Sequence, residues 1–105
     1  MITVTPTAAM HIIESAKQGN TAGMPLRVAV MKTQTGDFHY ALGFDDTPRD
    51  GDQTFNSENI DIIVAPSSMD LLTGTVIDYV ELDEGKKEII FINPNDPAQQ
   101  SGKAD

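Results

Sequence analysis

The sequence predicts an α+β domain that is mostly β, with two short helices. Three observations carry this expectation. Apolar residues recur at every second position in several stretches, one stretch near the N-terminus has helical spacing, and too few crossover helices are present for a doubly wound parallel sheet.

Ile2 and Val4 suggest a short edge strand. Thr5-Pro6 then opens a helix, because a threonine oxygen caps exposed N–H groups and proline suits the first helical position. Ala9, Ile12, Ile13 and Ala16 share one face, and Gly19-Asn20 supplies the stop. From Leu26 the period becomes two: Leu26, Val28 and Val30 alternate with Arg27, Ala29 and Met31. After the polar loop 33–37, Phe38, Tyr40, Leu42 and Phe44 alternate with His39, Ala41 and Gly43. These two strands are expected to pair as a hairpin, with the four large side chains on one buried face. Residues 45–52 read as a solvated loop. Its aspartates do not follow the calcium-loop spacing of alternate oxygens, a central glycine and a terminal glutamate.

Thr54-Phe55 suggests a short strand and Ile60–Ala65 a longer one, ended by Pro66. Ser67 and Asp70 match a capping box, with a short helix through Leu71-Leu72 that stops near Gly74. Thr75–Glu81 and Ile89–Ile92 read as strands around a charged turn, Asp83–Lys87. The predicted organisation is one domain over residues 1–95 and a flexible C-terminal tail over 96–105, which has little to bury.

Composition excludes whole classes of function. The formal net charge of −9 disfavours phosphate backbones and so nucleic acid. No apolar run approaches the roughly 20 residues of a membrane span, and the first residues lack the pattern of a signal peptide. The expected setting is cytoplasmic, without membrane partners. The absence of cysteine excludes disulfides, thiol catalysis, cysteine-held zinc and cysteine-held iron–sulphur clusters. No nucleophile elbow, phosphate-binding loop or dinucleotide fingerprint occurs, so no enzymatic activity and no catalytic residue is expected. His11 and His39 lack a second histidine at ligand spacing, so no metal site and no cofactor is expected.

The order of several stretches adds to this reading. Met1-Ile-Thr-Val-Thr-Pro-Thr-Ala-Ala, Leu26-Arg-Val-Ala-Val through Phe44-Asp-Asp-Thr-Pro, Gly74-Thr-Val-Ile-Asp-Tyr-Val-Glu and Phe91-Ile-Asn-Pro-Asn occur in one order, with Phe55 and Ile60-Asp-Ile-Ile-Val-Ala in step between them. Together they resemble the A-type iron–sulphur carriers, the IscA/SufA/HesB family, over residues 1 to about 95. The resemblance implies a HesB/IscA-like compact β-sandwich. It also implies a family ligand set of three cysteines, one in the loop after the first core strand and two in a C-terminal Cys-Gly-Cys. Those positions fall near Thr35, Gln100 and Gly102, none of which is a thiolate. Cysteine-free members of this kind occur with sulphur-oxidation proteins. The resemblance therefore implies an accessory or regulatory role in sulphur oxidation, with the scaffold kept and cluster carriage lost.

The leading expectation is a non-catalytic protein that acts on protein partners, as a monomer or weak homo-oligomer. The candidate interaction surface is Thr33, Gln34, Thr35, Asp37 and His39. The alternative is an iron or iron–sulphur carrier with oxygen and nitrogen ligands: Asp37, His39 and the tail acids Asp96 and Asp105.

Overall fold

The computed structural model describes residues 2–47 and 49–97. In chain order its elements are β1 (Thr3–Val4), α1 (Pro6–Gln18), β2 (Leu26–Lys32), β3 (Phe38–Phe44), β4 (Gln53–Ser57), β5 (Ile60–Val64), α2 (Pro66–Leu72), β6 (Val76–Asp83) and β7 (Lys86–Ile92). They form a three-stranded sheet, β1-β6-β7, and a four-stranded sheet, β3-β2-β5-β4. β1 runs parallel to β6 and β2 parallel to β5; the other pairs are antiparallel. This is the expected α+β, mostly-β class. The apolar interior joins Ile2, Val4, Ala8, Ala9 and Ile12 to Leu26, Val28, Val30, Ile60, Ile62, Val64, Leu72 and Ile77.

The start of α1 follows from one hydroxyl. Thr5 Oγ1 accepts from the Ala8 N–H at 3.2 Å and donates to Asp78 Oδ1 at 2.7 Å. The cap therefore also ties the helix to β6. One turn later His11 stacks on Tyr79 of β6, with ring centroids 3.9 Å apart. The buried face of α1 is Ala8, Ala9, Ile12 and Ala16. Ile13, expected on that face, lies at its margin and is 40% exposed.

At α2 the capping box does not form. The helix begins two residues earlier, with Pro66 in its first turn and Ala65 as cap in place of Ser67, and it has no side-chain cap bond. Ser67 is exposed, whereas Ser68 is buried. Ser68 Oγ accepts from Val30 N at 3.1 Å and donates to Val30 O at 3.2 Å. β2 outruns its register with β5, which covers only Leu26 and Arg27. Ser68 thus satisfies backbone groups that no strand reaches, as buried N–H and C=O groups require.

β2 and β3 pair as the expected hairpin, and the register sets Leu26 opposite Phe44, Val28 opposite Leu42 and Val30 opposite Tyr40. The shared face is as expected, but its burial is not uniform. β2 buries Leu26, Val28 and Val30, while β3 is the edge strand and Leu42 remains 39% exposed. An edge strand has a neighbour on one side only, so its side chains are covered from one side. β4 runs longer than Thr54-Phe55. The charged turn after β6 is also shorter than expected, because Lys86 and Lys87 already belong to β7.

Candidate functional site

The candidate loop joins β2 to β3 at one end of the four-stranded sheet. Thr33 N–H donates to Asp37 O at 2.8 Å, and Gly36 N–H donates to Thr33 O at 2.9 Å. The turn places Gly36 at φ +88°, in the left-handed region that glycine enters without steric cost. The side chains then close on one another. Thr35 Oγ1 donates to Asp37 Oδ2 at 3.0 Å, and Thr33 and Thr35 hydroxyls meet at 3.0 Å. Thr35 has one hydroxyl proton, already given to Asp37, so Thr33 is the donor to Thr35. Thr33 Oγ1 also accepts the Asp37 N–H at 3.1 Å.

Thr33, Thr35 and Asp37 therefore form one self-satisfied, exposed cluster, with exposed Gln34 at the tip. His39 lies apart, exposed on the outer face of β3 opposite Met31, itself 69% exposed. Among the described residues His39 makes no hydrogen bond to the loop. The other two inferred ligand positions, Gln100 and Gly102, lie outside the described residues.

This donor set does not fit a thiolate-held cluster. The chain has no cysteine, and a threonine hydroxyl remains a neutral O–H where a cluster ligand would be an anionic thiolate. Among the described residues no group of three or more His, Cys, Asp or Glu side chains is placed to share a metal. One proposed alternative ligand is also held elsewhere: Asp96 is 5% exposed and accepts from Tyr40 Oη at 2.7 Å. Asp105 lies outside the described residues.

Asp96 is the first residue of the stretch read as a tail, of which residues 98–105 lie outside the described residues. Asp96 is part of a buried polar network with Asn93, which donates from Nδ2 to Tyr40 Oη at 3.2 Å and to Leu71 O at 2.8 Å. Asn95 Nδ2 donates to Thr73 O at 2.8 Å. Beneath the network the Tyr40 ring stacks on Phe91, with centroids 4.5 Å apart. Burial first, and then the hydrogen bond to Asp96, push the Tyr40 phenol above its ordinary value. The available signal was Asn93-Pro94-Asn95: Asn side chains bond to backbone two residues on, as Asn93 Oδ1 does with Asn95 N at 2.9 Å.

The 45–52 loop is likewise not merely solvated. Arg27 projects from β2 and donates to Asp45 Oδ2 at 2.8 Å, to Asp52 Oδ2 at 2.7 Å and to Thr47 O at 3.2 Å. The Thr47 backbone N–H and Arg27 lower the Asp45 carboxyl below its ordinary value. Arg27 is the largest cause of the same shift at Asp52. One guanidinium fork thus draws the two ends of the loop together. Among the described residues no helix is long and apolar enough to cross a membrane.

Comparison with known proteins places this geometry among relatives. A family model described as iron–sulphur cluster biosynthesis matches residues 1–100. A protein of Aquifex aeolicus is 35% identical over 77 residues, covering 73% of this chain and 66% of that protein. The iron–sulphur cluster insertion protein ErpA of Yersinia pestis is 36% identical over 72 residues, covering 69% of this chain and 62% of ErpA. The alignments thus span slightly less than two thirds of these relatives' own lengths. The crystal structure of IscA with the [2Fe-2S] cluster superposes with a TM-score of 0.76 at 30% identity. That superposition covers 90% of this chain and 86% of IscA.

Proposed function

The chain belongs to the iron–sulphur cluster biosynthesis family, and we propose that it is a member that has given up iron–sulphur binding and works as a non-catalytic accessory or regulatory protein through contacts with protein partners. One observation carries this reading: Thr35, which the resemblance sets near the family's loop-ligand position, has its hydroxyl bonded to Asp37, in a chain with no cysteine.

The proposed setting is the cytoplasm of an organism that oxidises sulphur compounds. It rests on the resemblance to cysteine-free members of the DsrR type. The contact surface we favour is the exposed hairpin end, Thr33, Gln34, Thr35 and Asp37, with His39 beside it. Such loops are where scaffold proteins commonly place binding residues.

Anaerobic reconstitution with iron and sulphide tests the first half. The expected product of gel filtration is colourless protein without stoichiometric iron. A visible absorption band that elutes with the protein would instead establish cluster carriage by oxygen and nitrogen ligands. The second half is tested by capture from the native host with wild-type protein and a Gln34→Ala/Asp37→Ala/His39→Ala variant. A partner retained equally by both would move the contact surface elsewhere.

A further inference from the structure

The stacked ring of His11 and the exposed side chain of Leu42 meet in one cleft. It lies between α1 and β3 and holds about 200 Å³. Its apolar wall is Ile12 of α1, Leu26 of β2, Leu42 and Phe44 of β3 and Ile89 of β7. Leu26 and Ile12, 2% and 5% exposed, form the floor, and Leu42, 39% exposed, stands at the mouth. No Lys, Arg, Asp or Glu lines it.

Two polar side chains interrupt the apolar wall, His11 and Ser15. They are four residues apart on α1, so they project from the same side of the helix. The His11 ring is clamped on Tyr79, with centroids 3.9 Å apart and planes 8° from parallel. Among the described residues, neither the His11 ring nor the Ser15 hydroxyl has a hydrogen-bond partner within the protein. Both side chains are half-buried, nearer the mouth than the floor.

We infer that this cleft binds a small neutral molecule with one aromatic ring and one hydroxyl, a monocyclic phenol. Volume sets the size: an engineered apolar cavity of about 150 Å³ takes benzene, and this cleft leaves room for a ring, its hydroxyl and one small substituent. The polar pair sets the head group. A neutral imidazole has one acceptor nitrogen, and a serine hydroxyl is a donor. A phenol hydroxyl donates to the first and accepts from the second, so a single atom serves both. Charge sets the neutrality, because a carboxylate would find no lysine or arginine in the cleft and a formal net charge of −9 around it. Position sets the orientation, with the ring on the floor and the hydroxyl near the mouth. A tyrosine side chain of a partner protein would enter hydroxyl first and bury that group against Leu26 and Ile12, which offer it no hydrogen bond. The occupant is therefore a free molecule. The inference does not depend on the proposed function, since it rests on the cleft alone.

Titration of the isotope-labelled wild-type chain with p-cresol, followed by amide NMR shifts, tests the site. The shifts are expected to centre on residues 11–15 and 42–44, with a Kd of about 1 mM or below. Toluene lacks the hydroxyl and is expected to bind about fivefold or more weakly; benzoate is expected to give no shifts there. His11→Phe keeps a ring on Tyr79 and removes both nitrogens. It is expected to reduce p-cresol to the affinity of toluene and to leave toluene unchanged. Ser15→Ala, a change that favours the helix, is expected to weaken p-cresol about threefold or more without affecting toluene. Equal affinities of p-cresol and toluene for the wild-type chain would overturn the proposal, as would the absence of shifts at these residues at about 10 mM p-cresol. N-acetyl-tyrosinamide binding more tightly than p-cresol would also overturn it and assign the cleft to a tyrosine of a partner protein.

Discussion

Tyr40→Phe isolates the link between β3 and the segment after β7. The substitution keeps the ring that stacks on Phe91 and removes only the hydroxyl. That hydroxyl donates to Asp96 at 2.7 Å and accepts from Asn93 at 3.2 Å. A hydrogen bond to a carboxylate contributes about 1.5–3 kcal/mol, so the expected loss is about 2 kcal/mol. Unfolding entropy of about 2.1 cal/mol/K per residue gives this 105-residue chain roughly 0.22 kcal/mol/K, so the melting temperature should fall by about 9 °C. Urea titration should show a lower midpoint at unchanged slope, and limited proteolysis should cut more readily after Ile92. Alkaline titration adds a signature. The phenol is raised in the folded state, so its contribution is full below the unfolded value of about 10 and is lost as pH rises above it. The variant should lack that alkaline loss. A stability change under about 0.5 kcal/mol, with unaltered proteolysis, would refute the view that this network anchors the C-terminal segment.

Three further outcomes follow from other contacts. Asp45 and Asp52 are lowered in the folded state, so their contribution is present above the unfolded carboxyl value of about 4 and is lost as pH falls below it; Arg27→Gln should flatten the acid limb of a stability–pH curve. Thr75 Oγ1 is buried without a hydrogen-bond partner among the described residues, so Thr75→Val should raise stability by about 1 kcal/mol in urea titration. Gly51 has φ +83°, and an added Cβ would lie 2.7 Å from Pro66 Cγ, so Gly51→Ala should destabilise by about 1–3 kcal/mol, read from the thermal midpoint.

The sequence alone determined the elements whose causes are local. Thr5-Pro6 announces α1 because cap and first-turn chemistry act within four residues, and the period of two in 26–30 and 38–44 sets which residues share a face of the hairpin before any partner is known. It also settled what the chain lacks, since a missing cysteine is missing in every conformation. Tertiary structure decided the rest, because those choices depend on groups distant in sequence. Ser67 and Asp70 fit a local cap, yet the helix starts at Pro66 and Ser68 is drawn to Val30, whose backbone β5 does not reach. Asp96 looked like the first residue of a polar tail until Tyr40, 56 positions earlier, supplied its donor. The aspartates of 45–52 looked solvated because the loop's own cation, Arg49, reaches only Asp45, at 3.5 Å; Arg27 holds both Asp45 and Asp52 from the neighbouring strand. Leu42 shares its alternation with Val28, but only the strand order places one at an edge and the other inside. Periodicity states which face a residue is on, and the number of neighbouring strands states how deeply that face is buried.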